Sequence, residues 1–315
     1  MKFYTLKNEQ KLPAIGLGTW KSAPGEVGKA VIEALKAGYR HIDCAATYGN
    51  EAEVGEALKT AFAQGIVERQ DIWVTSKLWN NAHESDKVIP ALEKTLTDLQ
   101  LNYLDLYLIH WPVAFKADVN FATKANEFLT PNEAPIIDTW KKMEEAYEGG
   151  LVKSIGVSNF SIQKLKDLMV DATHQPEVNQ VELHPLLQQN ELLEFCNNNS
   201  IIITGYSPLG SGDRATSMKK DNEPSLLNNK IIKDIANDHN CTSAQVLIAW
   251  HLSRGTAVIP KSTNPQRIKQ NYESYEIELT DSDLEKIAAM DKNYRYVDGT
   301  FFEVAGGPYK NIYDE

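Results

Sequence analysis

The 315-residue sequence has only three cysteines, Cys44, Cys196 and Cys241, far apart and without a CxxC spacing. So sparse and odd a set excludes a disulfide framework and suits a reducing compartment. No segment approaches the roughly 20 consecutive apolar residues of a membrane span. Residues 1–6 contain no apolar core of signal-peptide length. A cytoplasmic protein without a membrane partner is therefore expected. Basic clustering is also lacking: 32 Lys and Arg stand against 43 Asp and Glu, and no basic run is longer than a pair such as Lys219 and Lys220. An extended phosphate-binding face is excluded, so no nucleic-acid partner is expected. The seven histidines include no HExxH or other close ligand pair, and no metal is expected. A Rossmann fingerprint is missing as well. Gly16-Leu17-Gly18 meets Lys21 at its third glycine position, and Gly210-Ser211-Gly212 reaches Ala215 but then enters a polar loop.

What is present is a rhythm. Short apolar or β-branched runs at residues 15–17, 41–43, 72–77, 104–109, 154–157, 178–182, 201–206 and 256–259 alternate with helical periodicity at 27–37, 50–64, 87–99, 138–149, 162–171, 191–199 and 231–238. Val27, Val31, Ala34 and Leu35 have the spacing of one buried helical stripe. Alternating β and α units imply a parallel sheet. Eight of them without a linker or composition break predict a closed (β/α)8 TIM barrel, with residues 1–315 as a single domain. Residues 3–6 and 12–13, flanking 7–10, predict an N-terminal β-hairpin, read as a plug in the barrel's N-terminal mouth. Two helical stretches, 231–238 and 243–252, precede the last strand, so at least one helix is added to the ideal pattern. Beyond helices at 265–271 and 281–290, a tail rich in glycine and aromatics is expected to fold over a mouth as a C-terminal substrate loop.

Polar residues that end different strands of such a barrel converge on its C-terminal face. Asp43 ends the second strand and runs into Tyr48, Lys77 ends the third, and His110 follows the fourth. Singly, each has a structural explanation: a cap, a solvated strand end, a rim phenol, a hydrogen-bonded core histidine. Together their chemistry is complementary. An ammonium beside a phenol is expected to lower the Tyr48 pKa toward the working range, and Asp43 keeps Lys77 charged. The set suits proton delivery to a carbonyl oxygen, with Tyr48 as donor, Lys77 and Asp43 tuning it and His110 orienting the carbonyl. No side chain supplies hydride, so a nicotinamide cofactor is expected. A carboxylate pair of Glu182 and Asp43, the glycosidase alternative, leaves Lys77 and Tyr48 without a role.

A local anion site is also legible. Lys261, Ser262 and Thr263 follow the last strand, Pro265 lies just inside a helix start, and Arg267 falls in the first turn. Barrels commonly hold phosphate at this end. Lys261 and Arg267 read as a clamp for an adenosine phosphate, which favours NADPH because a bare ribose would leave both cations unpaired.

Over essentially its whole length the chain resembles the aldo-keto reductases. The carrying segments are Gly16-Leu17-Gly18-Thr19-Trp20, the run from Gly38 to Glu51, Leu106-Tyr107-Leu108-Ile109-His110-Trp111-Pro112, Ile155-Gly156-Val157-Ser158-Asn159-Phe160 and Ile259-Pro260-Lys261-Ser262. The resemblance implies a (β/α)8 barrel that reduces aldehydes and ketones with NAD(P)H through Asp43, Tyr48, Lys77 and His110. It implies that Ser158, Asn159 and Gln180 hold the nicotinamide carboxamide while Tyr206 stacks on the ring. Thr19, Trp20, Ser207, Leu209, Ser211, Lys261, Ser262, Asn264, Arg267 and Asn271 match further cofactor contacts. Lys21 and Asp213 match a pair that latches a loop over the pyrophosphate in similar members.

Three positions depart from the pattern. Gln270 stands where related sequences often carry Glu facing the adenine amine, and its amide oxygen still accepts that bond. Thr216 occupies a region where vertebrate aldose reductases have a large aromatic wall, implying a more open pocket. Thr263 aligns with an Asn that bonds the ribose in xylose reductases, so NADH is expected only as a weaker alternative. Trp20, Trp79, Trp111 and Phe115 are expected to line the substrate mouth beside His110, with Phe121 as a further candidate; for Phe115 and Phe121 a place in the core is the equal alternative. The resulting expectation is a monomeric NADPH-dependent reductase of small aldehydes or aldoses. The alternatives are a cofactor-binding regulatory or structural barrel without turnover, and an NADP-dependent alcohol or polyol dehydrogenase working in the oxidative direction.

Overall fold

A computed structural model describes residues 2–314. The chain begins with an antiparallel hairpin of β1 (Phe3–Thr5) and β2 (Lys11–Pro13). Eight parallel strands follow: β3 (Leu17–Gly18), β4 (His41–Asp43), β5 (Trp73–Leu78), β6 (Leu106–Ile109), then β9 (Ile155–Ser158), β10 (Val178–Glu182), β11 (Ile202–Tyr206) and β12 (Ala257–Val258), adjacent in that order. A short hairpin of β7 (Ala114–Phe115) and β8 (Phe128–Leu129) stands in the loop after β6. The barrel closes where Ile15 bridges Val258 in parallel, with Gly16 N donating to Val258 O at 2.8 Å and Val258 N to Ala14 O at 2.9 Å.

The helices are α1 (Val27–Ala37), α2 (Glu51–Ala63), α3 (Ser85–Leu99), α4 (Ile136–Glu148), α5 (Ile162–Asp171), α6 (Asn190–Asn198), α7 (Lys230–Asp238), α8 (Ser243–Ser253), α9 (Pro265–Glu273) and α10 (Asp281–Ala288). One or two helices follow each barrel strand, and α9 packs back on α1 to complete the outer ring. The additions to the ideal pattern are α7 and α10, which pack on one another. The barrel strands are buried almost throughout, polar residues such as Thr75, Ser76, Asn179 and Thr204 included, so they show no strict alternation of buried and exposed positions. Leu6 and Leu12 of the N-terminal hairpin pack with Trp73, Leu106, Val178 and Ala257, the first residues of four strands, so the hairpin seals the bottom of the barrel.

Two local devices aim the chain at the site. Gly38 ends α1 at φ 108°, a conformation that glycine alone enters freely, and returns the chain into β4. Asn264 caps α9 by accepting from Arg267 N at 3.0 Å, with Pro265 in the first turn, so the free amides of that helix face the C-terminal end of the barrel. The observed boundaries lie within a few residues of those read from periodicity. The exception is the β7–β8 hairpin, whose two-residue strands are too short to produce a period.

Helix packing around the ring depends on close approach at Gly55, where a Cβ would lie 2.3 Å from the Asp98 carbonyl oxygen and 2.7 Å from the Leu99 carbonyl carbon. Gly55→Ala is expected to force α2 off α3 and destabilise the fold by about 1–3 kcal/mol. Urea unfolding measures this, and an unchanged midpoint would mean that the two helices part without cost.

Candidate active site

The C-terminal strand ends bring Asp43, Lys77, Tyr48 and His110 together. Lys77, one residue from the end of β5, donates from Nζ to Asp43 Oδ1 at 2.6 Å and to the Cys44 carbonyl at 2.8 Å. Its Nζ lies 3.4 Å from Tyr48 Oη. Gln180 Nε2 donates to the other Asp43 oxygen at 2.7 Å, and Thr19 Oγ1 donates to the Asp43 carbonyl at 2.8 Å. The Lys77 and Asp43 side chains are each 1% exposed, so the charges are sealed from water and survive because each is paired and hydrogen-bonded. Tyr48 ends a 3-10 turn, Ala46–Tyr48, that Gly49 closes at φ 67°.

Burial pulls the Lys77 pKa down, but the Asp43 charge, Tyr48 and the hydrogen bonds to both outweigh it and hold the ammonium at about 12. The expected lowering of Tyr48 is corrected here. Burial pushes its phenol up to about 12, and Lys77 only offsets part of that rise. Tyr48 is therefore protonated at neutral pH, the form a proton donor needs.

His110 follows β6 and sits edge-on to Tyr48 and Trp79, with ring centroids 5.9 and 5.1 Å away. Burial, then the positive charge of Lys77 and the neighbouring His83, hold its pKa well below the usual histidine value, so the imidazole is neutral. Behind Lys77, Glu51 accepts from Ser76 Oγ at 2.5 Å and Thr95 Oγ1 at 3.1 Å. Burial pushes this carboxyl up to about 7 against those bonds. Its placement at a helix start carried no sequence signal of a role at the site.

A cavity of about 1090 Å³ runs from this cluster to the start of α9. Its walls at the centre include Thr19, Trp20, Asp43, Tyr48, His110, Ser158, Asn159, Gln180 and Tyr206. Asn159, at φ 63°, joins them: Nδ2 donates to the His110 carbonyl at 2.9 Å, and Oδ1 accepts from Tyr206 Oη at 2.7 Å. Ser158 Oγ donates to the Gln180 carbonyl at 2.7 Å. Further along lie Lys21, Ser207, Leu209, Ser211 and Asp213, and at the far end Lys261, Ser262, Thr263, Asn264, Arg267, Gln270 and Asn271. Asp213 bridges the cleft with one oxygen 2.6 Å from Lys21 Nζ and the other 3.2 Å from Lys261 Nζ. Lys261, read from sequence as one half of a phosphate clamp, is thus shared with Asp213. Thr242, Ser243 and Ala244 at the start of α8 also line the cleft. Their signal was the capping box of Thr242 and Gln245, which marks a helix start but not what it faces.

At the mouth, Trp79, Trp111, Phe121, Val297 and Phe301 form the apolar wall. Phe115 does not line it. This residue is wholly buried behind Trp79, at a centroid distance of 5.9 Å, and packs on Phe128 and Phe302, because the unforeseen β7–β8 hairpin turns its side chain into the core. Glu182 does not pair with Asp43 across the cleft either. It is fully buried, and its oxygens accept from Tyr296 N at 2.7 Å and Val297 N at 2.8 Å.

The sequence model of the Aldo/keto reductase family matches residues 14–292. The chain belongs to the aldo/keto reductase family. It is similar to "Aldo/keto reductase slr0942" of Synechocystis sp., 53% identical with 100% of this chain and 97% of the relative covered. The human "Aldo-keto reductase family 1 member A1" is 46% identical, covering 93% of this chain and 90% of that protein. Among solved structures, that of the aldose reductase from Schistosoma japonicum superposes with a TM-score of 0.89 at 38% identity, over 99% of this chain and 98% of that one. This aldo/keto reductase is accordingly an oxidoreductase acting on carbonyl groups. Members of the family use NAD(P)H. The cleft fits such a molecule: an amide-rich floor beside Tyr206, a polar trough, and a helix N-terminus with Lys261 and Arg267 at the far end. Among the described residues no group of three His, Cys, Asp or Glu has the geometry to hold a metal ion, and no helix is long and apolar enough to cross a membrane.

Because the folded reductase keeps on Glu51 a proton that an unfolded carboxylate gives up near pH 4, this residue favours the fold most in acid, and the advantage is lost as pH rises through about 7. Relative to the unaltered chain, Glu51→Gln is expected to gain stability as pH is raised from about 5 to about 8. Paired urea melts across that range measure it, and a pH-independent difference would contradict the protonated Glu51.

Proposed function

We propose that this reductase converts small aldehydes or aldoses to alcohols with NADPH, using Tyr48 as the proton donor. The observation that carries this reading is that one cavity holds the Tyr48 and His110 side chains at one end and Lys261 and Arg267 at the other. A nicotinamide, when bound, supplies the hydride that no side chain here possesses. Ser158, Asn159 and Gln180 would hold its carboxamide, Tyr206 would pack on the ring, and Thr19 and Trp20 would border it. Ser207, Leu209 and Ser211 would follow the pyrophosphate, while Asn264, Gln270 and Asn271 would meet the adenosine.

The chain's own residues then handle orientation and the proton. The neutral His110 donates a hydrogen bond to the substrate carbonyl oxygen and fixes its direction toward Tyr48. Tyr48 gives up its proton to that oxygen as the alkoxide charge develops. The negative charge left on the phenol is met by the Lys77 ammonium 3.4 Å away, which Asp43 keeps in place. Trp79, Trp111 and the tail residues Val297 and Phe301 exclude water from the reacting carbonyl. Preference for NADPH over NADH follows from Arg267, which is exposed in the first turn of α9 with its guanidinium available to a 2′-phosphate. A single barrel domain spanning the chain, a monomeric state, a cytoplasmic location and a small carbonyl compound as the only partner complete the proposal.

Tyr48→Phe is expected to lower turnover about 10²- to 10⁴-fold while leaving NADPH affinity nearly unchanged. The absorbance decay of NADPH with glyceraldehyde, xylose and an aromatic aldehyde tests this, and normal turnover in the variant would remove Tyr48 from the mechanism. Arg267→Ala is expected to weaken NADPH about 10- to 100-fold and NADH far less. Fluorescence titration with each cofactor measures the two losses, and equal losses would contradict the phosphate contact.

A further inference from the structure

Arg214 lies one residue beyond Asp213, the carboxylate that spans the cleft, and its side chain is 0% exposed. Its donors go to two different parts of the molecule. Within the loop after β11, Nε donates to the Ser211 carbonyl at 3.2 Å, Nη1 to the Met218 carbonyl at 2.9 Å, and Nη2 to both oxygens of Glu223 at 2.6 Å. Nη1 also donates to the carbonyl of Tyr296, in the C-terminal tail. The Tyr296 ring stands 5.2 Å from the guanidinium, and its hydroxyl returns a bond to the Pro224 carbonyl at 2.7 Å. On the far side, the Tyr296 and Val297 amides are pinned to the buried Glu182, whose Oε1 also bonds His184 Nε2 at 2.8 Å. Val297, next in sequence, lines the substrate end of the cavity.

We propose that Arg214 is a positioning residue that ties the cofactor-side loop to the substrate wall, so that closure of Asp213 over the cleft sets the position of Val297 and its neighbours. This inference rests on the reductase reading above. Its physical basis is the cost of stranding a buried charge. Each donor of a guanidinium sealed from water is costly to strand, so a displacement of the loop that carries Ser211, Asp213 and Arg214 either drags Tyr296 with it or breaks the bond to the Tyr296 carbonyl and leaves a buried N–H unmet. This one contact thus joins both sites, and for binding the effect is reciprocal: what tightens the cofactor loop tightens the substrate wall, and the reverse. A purely structural Arg214 would lower stability without linking the two sites.

The test uses Asp213→Ala, an alteration at a half-exposed side chain on the cofactor side of the cleft. The readout is kcat/KM for glyceraldehyde at saturating NADPH, which contains no contribution from cofactor release. Asp213→Ala is expected to speed NADPH dissociation and also to lower this ratio about tenfold, within the 5- to 150-fold typical of linked sites. In an Arg214→Met background, the same substitution should still speed dissociation but no longer change the ratio. Should Arg214→Met fail to fold, Glu223→Gln weakens the same anchor and should shrink the effect of Asp213→Ala on the ratio. Turnover by the unaltered chain together with an unchanged ratio in Asp213→Ala overturns this inference alone, as does an undiminished effect in the second background. Absence of turnover by the unaltered chain overturns the reductase reading and this inference with it.

Discussion

The buried ion pair of Lys77 and Asp43 is the constraint around which the rest of the site is organised. Two opposite charges at the ends of adjacent strands, 2.6 Å apart and shut off from water, are tolerated only if every remaining donor and acceptor is met. The Cys44 carbonyl and Tyr48 take the other contacts of the ammonium, while Gln180, from a strand on the far side of the barrel, takes the second oxygen of Asp43. Satisfying that one pair therefore fixes the depth of Tyr48, the orientation of Gln180 and the relative positions of three strands. The same pair decides the protonation pattern: a lysine held charged, a phenol that keeps its proton and an imidazole kept neutral by burial and by the lysine beside it.

The barrel makes this arrangement possible because it is closed at one end and open at the other. Leu6 and Leu12 of the hairpin fill the N-terminal mouth, so polar side chains inside the strands can face outward only at the C-terminal end. There the polar floor, the trough crossed by Asp213 and the start of α9 form one continuous cleft rather than separate pockets. The apolar cover comes from two loops that the strands do not dictate: the β7–β8 segment carrying Phe121 and the tail carrying Val297 and Phe301. Trp79 links them to the centre, with its indole N–H donating to the Asn120 carbonyl at 2.7 Å while its ring meets His110 edge-on.

Much of this was legible in the chain before any fold was known, and for identifiable reasons. Strand ends are where a barrel displays its polar residues, so Asp43, Lys77 and His110 could be read from their place after apolar runs. Asn264, Pro265 and Arg267 could be read because helix starts have their own residue preferences. The readings that needed correction depended on packing. Phe115 could belong to the mouth or to the core on sequence alone, and a two-residue strand decides which way it points. The direction of the Tyr48 shift is a balance between burial and one neighbouring charge, and burial cannot be weighed from residue identity. Glu182 and Arg214 were out of reach for a related reason. Their roles lie in bonds to backbone amides and carbonyls of a distant tail, and such bonds leave no pattern in side-chain spacing.

The central claim is that Lys77, held by Asp43, stabilises the charge left on Tyr48 when it gives up its proton. The most direct test is the pH profile of kcat/KM for aldehyde reduction at saturating NADPH, in the unaltered chain and in Lys77→Met. The account predicts a profile that is level through neutral pH and falls only in alkali, as the phenol loses its proton. In Lys77→Met the whole curve should drop and its alkaline fall should move to higher pH. An unaltered profile that already falls below neutrality, or an alkaline limb that stays in place when Lys77 is replaced, would contradict it.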